Sequence, residues 1–477
     1  MKSVTILTIA AMAMAAATGC SHDTPTPSPE PPVKGGEFNE FGFTTTAPVT
    51  LSVDYGDMAG MPANVYFEVY DTCPVEETET AYAKIAGVEP LYAGYTDGQG
   101  RFEGTIELPA YIRKAYVLTP AFYARTLLEA TRSGDMLTAS AESGAPANAA
   151  PASTRAKEYH STAVERDGWK TWLGSYDTTY GSIGYEYDGD LKVKNYGALL
   201  KAHASVFDTT KKCPKEYRSS RDLYLEKSAE VVITLLGSNT CWNSSMGYYY
   251  YKTGNKPKSL ADANVVMIFP NTQDGRWSNS PWESRLYQGV ERGTAVQLIY
   301  YPEIADGSKA GATTVFPADY RIGFVLATNA WTNRLRAGDK KYRAATSDGL
   351  SVNNNGVAYQ TPRTAVFRYT DKKSGINSVL FSFEDHTNDE NFSDVVFTMT
   401  SNPVDAVTDI PSVDVNDGKK TANVLRGIYA FEDLWPSRGD YDMNDVMVRS
   451  DYEKVFNEKG VFEESFMLKT FANFAGN

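Results

Sequence analysis

Apolar and polar residues alternate with a period of two through much of this chain. Val49, Leu51 and Val53 are spaced for one face of a strand, and VYFEVY at 65–70 and YIRKAYV at 111–117 continue the pattern. A period of two sends successive side chains to opposite faces of a sheet, so these segments read as strands. EVVITLL at 230–236, VVMIFP at 265–270, AVQLIYY at 295–301 and RIGFVL at 321–326 add further strands, punctuated by Asn, Gly, Ser and Pro. A helical period holds best over residues 196–207, with Leu199, Leu200, His203 and Phe207 on one side. His203 beside two leucines reads as a core histidine, not a ligand. The predicted class is mainly β, a set of β-sandwiches in several domains.

Composition divides the chain further. Residues 37–138 form a small antiparallel sandwich in this reading. Its TDGQGRF turn at 96–102 resembles the hairpin of carboxypeptidase-regulatory-like and prealbumin-like domains, which are non-catalytic sandwiches. Residues 139–156 (ASAESGAPANAAPASTRA) are small, Pro-containing and aperiodic, as in a linker. Residues 157–402 make one large β-rich domain ending in an acidic loop, and 403–477 form a last module. Within the large domain GYYYYK at 247–252 puts Tyr248 and Tyr250 on one face and Tyr249 and Tyr251 on the other. Such tyrosines pack across strands, or, with Trp242, Trp277 and Trp282 nearby, stack on sugar rings.

The chain opens with Met1-Lys2, an apolar run over residues 4–17, and the small residues AATG before Cys20. This is a secretory leader, 1–19, too short for a permanent span. A Cys directly after small residues resembles the bacterial lipobox, in which the chain is cut before the Cys and its sulfur carries diacylglycerol. Two thioether-borne chains and an N-acyl chain suffice for stable anchoring. Five prolines lie between Pro25 and Pro32, so residues 20–36 read as an extended tether behind the lipidated Cys.

Charge and residue usage remove several classes. Lys and Arg number 46 against 59 Asp and Glu, a net −13 that repels phosphate backbones and leaves nucleic acid an unfavourable partner. Only 4 His and 4 Cys are present, and no GxSxG, HExxH or Cys-His arrangement occurs, which weakens the case for the corresponding hydrolases. With Cys20 acylated, Cys73, Cys213 and Cys241 remain. In an oxidising envelope at most one intramolecular bridge can form, and Cys213 with Cys241, 28 residues apart in one domain, is the pairing expected if one does; the alternative is that the thiols stay free.

An internal repeat carries the chemistry. FSFEDHTNDENFSDVVF at 381–397 aligns with YAFEDLWPSRGDYDMNDVMV at 429–448. Glu384, Asp385, Asp389, Asn391 and Asp394 match Glu432, Asp433, Asp440, Asp442 and Asp445, and Ser393 matches Asn444. Each copy is an acid pair ending a strand, a loop with oxygen-bearing side chains at alternate positions, then another strand. Two carboxylates about 6 Å apart at an effective dielectric near 20 repel by roughly 3 kcal/mol, which a bound cation would remove. Hard oxygens without Cys or His suit Ca²⁺. The loops are not EF-hands, since Asp445 stands where the invariant Gly should be. Without an ion, the same residues would serve as solvated Asx-turns.

The FEDLWPSRGDYDMNDV string at 431–446 resembles the signature of the LruC-domain lipoproteins, and the earlier copy is similar to the FED and DxNxxDVVF string of their upstream module. The resemblance implies an outer-membrane or surface lipoprotein of Bacteroidales type, with calcium-type acidic loops and no established reaction. Members usually continue well past the acidic loop, so this chain is expected to be a shortened member with an unpaired edge. Two function classes follow. One is a non-catalytic, calcium-rigidified lipoprotein that binds a glycan, a matrix component or a partner envelope protein. The other is a secreted hydrolase with paired carboxylates, as in glycosidases. His386 has Leu434 as its counterpart, so it is a weak catalytic candidate.

Overall fold

The computed structural model describes residues 46–56, 64–77, 82–141, 159–160, 169–177, 180–193, 196–240, 242–273, 289–331, 342–371, 376–386, 389–412, 420–431, 446–457 and 460–473. Cys20, the tether, Trp277, Trp282 and almost all of the segment read as a linker lie outside them. The described residues are mainly β, with one α-helix, Gly197–Val206, where the helical period is found.

The first seven-stranded sheet runs in the order Tyr92–Tyr95, Tyr66–Tyr70, Lys114–Leu118, Leu127–Ser133, Met136–Ser140, Thr46–Asp54, Arg101–Pro109. Its alternation predicts its burial: Val49, Leu51 and Val53 are enclosed while Thr50, Ser52 and Asp54 lie half-buried between them. The sheet curls so that its ends meet. Phe67 near one end lies 5.1 Å, ring to ring, from Phe102 in the opposite edge strand, and Tyr92 of the first edge strand lies 5.9 Å from the same ring. Two expectations change here. Thr46–Asp54 pairs in parallel with Met136–Ser140, so the sheet is not wholly antiparallel, and that last strand runs two residues into the stretch read as linker.

The large region is a two-layer sandwich. Its front sheet orders Trp169–Trp172, Val265–Phe269, Ser245–Lys252, Tyr320–Ala327, Leu223–Leu225 and Val407–Thr408, with Arg343–Ala345 beside Tyr320–Ala327. Its back sheet orders Ala295–Gln297, Ala229–Ser238, Val395–Asn402, Ile376–Phe383 and Thr364–Asp371, with Val315–Phe316 beside Ala229–Ser238. Between the layers sit Ile233, Leu235, Phe324, Val379, Phe381, Val395 and Phe397, all essentially buried. Residues of opposite parity on the back sheet, Leu236, Phe367, Leu380 and Val396, belong instead to the core of the first sheet, together with Leu199, Leu200 and Phe207 of the helix. The back sheet is therefore apolar on both faces, which explains its near-continuous hydrophobic strands. The first sandwich is packed onto it and shares its core.

The tyrosine run follows the expected parity, and its rings are largely enclosed. Tyr248 and Tyr250 donate to the carbonyls of Ile299 (2.6 Å) and Tyr301 (2.8 Å). Tyr249 donates to Ser347 Oγ (2.8 Å) and Tyr251 to Asp222 Oδ2 (2.6 Å). Tyr248, Tyr249, Tyr251 and Trp242 are buried, so the sugar-stacking reading of this run is corrected to cross-strand packing, whose hydroxyls must find partners. Opposite Tyr249 stands Gly323, where a Cβ would come within 2.4 Å of the ring. His203 is wholly buried, 3.0 Å from Ser382 Oγ, and burial pushes its imidazole down to about 3, so it is neutral. Cys213 carries a free buried thiol pointing 3.3 Å from Pro214 O, so the Cys213–Cys241 bridge is not made; Cys241 itself lies outside the described residues. A three-stranded antiparallel sheet, Lys420–Phe431, Val446–Asn457 and Gly460–Asn473, completes the fold.

The inter-layer core turns on three rings. Phe381 and Phe397 stack at 4.7 Å, and Phe324 meets both edge-on at 5.1 and 4.9 Å. Phe397→Ala should lower unfolding free energy by about 3–5 kcal/mol in denaturant titration. A change below about 1 kcal/mol would show that this cluster does not hold the layers.

Candidate functional site

The first acidic loop joins two neighbouring strands of the back sheet. Ile376–Phe383 and Val395–Asn402 end their pairing at Phe383 opposite Val395, and residues 384–394 cross between them. The adjacent hairpin pairs Thr364 with Phe383, which sets Arg363 beside Glu384; the Glu384 N–H donates to Arg363 O at 3.0 Å. Glu390 and Phe392 take left-handed backbone angles (φ 50° and 59°) on either side of Asn391. Asn391 closes that turn from within: its Oδ1 accepts from Ser393 N–H (2.7 Å), and its Nδ2 donates to Asp389 Oδ2 (2.7 Å) and Thr209 O (3.1 Å).

The carboxylates divide into two groups. Outside, Glu390 faces Lys212 (3.3 Å), Arg218 (3.4 Å) and Arg363 (3.8 Å). Partial burial pushes its carboxyl up, but these cations prevail and hold it below the usual range. Inside, Glu384, Asp389 and Asp394 each place a carboxylate oxygen within 4.8 Å of the other two. Asp385 is tied to the same cluster, its N–H donating to Asp394 Oδ2 at 2.6 Å, while Thr240 donates to its Oδ2 at 2.6 Å. Glu384, Asp385 and Asp394 are 1%, 3% and 3% exposed. The ion pair of the inner group among the described residues is Arg363 Nη2 to Glu384 Oε1 at 3.3 Å.

Burial first, then mutual repulsion, raises Glu384 and Asp394 well above the carboxylate range. Burial also raises Asp389, and pushes Asp385 up to about 6. Ser393 Oγ, fully buried in the same loop, has no hydrogen-bond partner among the described residues. Three oxygens no more than 4.8 Å apart have a common centre within about 2.8 Å of each, close to the 2.3–2.6 Å typical of Ca–O bonds. His386 is nearly buried, stacked 5.7 Å from Trp242 and edge-on to Tyr342 at 4.9 Å, which makes it a wall of the loop.

Of the residues singled out from sequence, Glu384, Asp385, Asp389, Asn391 and Asp394 are thus brought together. Glu432, Asp433, Asp440, Asp442, Asn444 and Asp445 of the second copy lie outside the described residues. Arg363, Thr240 and the outer cations were not found from sequence. Arg363 could have been, because two eight-residue strands forming a hairpin put the residue before Thr364 level with the one after Phe383. Thr240, Lys212 and Arg218 arrive from distant segments and left no local signal.

Two family models match the chain. Residues 47–141, the first sandwich, are similar to a domain of unknown function, DUF8469. Residues 316–402, which include the acidic loop and both strands flanking it, are similar to another, DUF4114. Neither match covers half of the chain. Comparison with curated proteins and with solved structures gives no significant match.

The inner cluster fixes a pH response. Carboxyls whose folded-state values are raised bind protons more tightly folded than unfolded, so the stability they contribute is complete below the ordinary range, about pH 4, and is lost as pH rises through the folded values. In chelator, the unfolding midpoint should fall between about pH 4 and pH 7, through the value near 6 of Asp385. Asp394→Asn should flatten that fall. A wild-type midpoint that climbs more steeply over this window than the variant's would contradict the raised values.

Proposed function

We propose that this chain is a lipid-anchored, non-catalytic protein of the bacterial outer membrane, held out on a Pro-rich tether, whose sandwich is locked by Ca²⁺ in the acidic loop. Its role is to bind a glycan, a matrix component or a partner envelope protein. The observation that carries the cation reading is the inner cluster: two buried carboxylates and the half-buried Asp389 sharing a 4.8 Å space, a fourth, buried one bonded to them, and one arginine in contact among the described residues. Each pair of charges at that separation repels by roughly 3 kcal/mol at an effective dielectric near 20, and a divalent ion replaces the repulsion with attraction. The donors are hard oxygens, the preference of Ca²⁺. Glu384, Asp389 and Asp394 would be its ligands, with Asp385 and Asn391 orienting them.

The same burial argues against the hydrolase alternative. Glycosidase carboxylates flank a substrate in a cleft, whereas Glu384, Asp385 and Asp394 lie at the end of a sheet with almost no accessible surface and Asp389 is half-buried. The resemblance to LruC-domain lipoproteins and the lipobox at Cys20 support the envelope location.

Native-only binding stabilises by RT ln(1 + [L]/Kd), about 2.7 kcal/mol at a hundredfold excess over Kd. Thermal unfolding of the full chain in detergent should therefore rise with Ca²⁺, respond less to Mg²⁺, and fall with chelator. Asp389→Asn and Asp394→Asn should each abolish most of the response. Superimposed melts with and without Ca²⁺ would refute the lock. Cys20→Ala should move the protein out of the membrane fraction or leave it unprocessed; a variant of wild-type mass that stays with membranes would place the anchor elsewhere.

A further inference from the structure

A second site lies on the outer face of the front sheet, sharing no residue with the acidic loop. Three neighbouring strands bring Tyr224, Arg321 and Tyr251 side by side, through the pairings Tyr224 with Arg321 and Tyr251 with Arg321. Arg321 and Tyr251 border an open cleft of 360 Å³, within the range of small-ligand pockets, and Tyr224 backs Arg321. Its floor is rigid. The buried carboxylate of Asp222 accepts from Tyr251 (2.6 Å), Thr346 (2.5 Å) and Ser347, and Ser347 in turn accepts from Tyr249 (2.8 Å).

The cations lining this cleft are not equivalent. Arg221 is paired with Asp409 at 3.0 Å, and Lys256 donates to Asp348 O at 2.9 Å. Arg321 is half-buried with its guanidinium 5.0 Å from the Tyr224 ring centre, and that guanidinium makes no hydrogen bond or ion pair among the described residues. A guanidinium placed over an aromatic ring can still offer a fork of N–H groups, the geometry that takes a carboxylate with two parallel bonds. Beside it, hydroxyls and the exposed carboxylates Asp348 and Asp409 line the cleft. Carboxylates accept from ligand hydroxyls, and they penalise phosphate, which places up to two negative charges on one group, more than a single carboxylate.

We infer that this cleft binds an acidic sugar residue, its carboxylate on Arg321 and its hydroxyls on the surrounding acceptors. The site gives a ligand class to the binding role proposed above and is independent of the cation. The test is calorimetric titration of the full chain in detergent, at fixed calcium, with digalacturonate, its methyl ester, glutarate and inorganic phosphate. Digalacturonate should bind, and the ester, with the same hydroxyls and no charge, at least tenfold more weakly. Glutarate and phosphate should bind no better than the ester. Arg321→Gln should cost at least tenfold in digalacturonate affinity without moving the unfolding midpoint. The acid and ester comparison needs no variant, so it decides the matter even if Arg321→Gln misfolds. Equal affinity for acid and ester, no binding of digalacturonate, or glutarate or phosphate binding as tightly would overturn the assignment. A protein that responds to calcium but ignores digalacturonate loses the cleft alone; one that binds digalacturonate and ignores calcium keeps it.

Discussion

Repulsion among carboxylates that cannot reach water is the constraint around which the large sandwich is arranged. Glu384 and Asp385 follow directly on Phe383, a ring locked between the two layers, so the chain has no slack with which to turn the acids outward. Asp394 precedes Val395, equally buried, and is fixed from the other side by Asn239 N–H at 3.1 Å and Ser238 Oγ at 2.8 Å to its carbonyl. The hydrophobic effect that closes the sheet thereby forces four acids into one place. Whatever neutralises them is coupled to the folding of both strands.

The coupling extends further because the back sheet is covered twice. Val379, Phe381 and Phe383 face the front sheet, while Leu380 between them faces the first sandwich and the helix. A shift of one residue in Ile376–Phe383 would exchange these two sets and move the acid pair as well. Register, the two cores and the position of the charges are consequently one choice. Residues 47–141, although compact enough to match a family model alone, complete their core only with Leu236, Phe367, Leu380 and Val396 of the later strands.

Strand content, the helix and the acidic loop were legible in the sequence because each is local: period two, period 3.6, and oxygen-bearing side chains at alternate positions. Tyr248 to Tyr251 show what period alone leaves open. Parity assigned the two faces correctly, but which face is covered depends on residues 299–301 on one side and 347 on the other, and no local pattern announces them. The parallel pairing of Thr46–Asp54 with Met136–Ser140 failed for the same reason, since antiparallel and parallel partners demand the same alternation. The missing bridge at Cys213 follows from placement: its thiol is enclosed beside Phe207, Phe392 and the helix in the shared core, where spacing in sequence says nothing about which side chains meet. Arg363 and Thr240 belong to the same category, visible only once register is known.

How the charges are sorted separates a cation site from a solvated turn. If the loop needed only to be neutral, its basic residues would lie against the buried acids, where an unpaired charge costs most. They do not. Lys212 and Arg218 gather on the half-buried Glu390, while among the described residues Glu384, Asp385, Asp389 and Asp394 share one ion-pair contact, from Arg363. Solvation cannot make up the difference for Glu384, Asp385 and Asp394, which have almost no accessible surface, and a turn built of Asx hydrogen bonds would not leave Ser393 Oγ enclosed with no partner among the described residues. The loop is balanced on its outside and short of positive charge on its inside, with oxygens near enough together to share one ion. That is the distribution expected if the missing charge comes from a divalent cation and the outer cations serve to hold the loop closed over it.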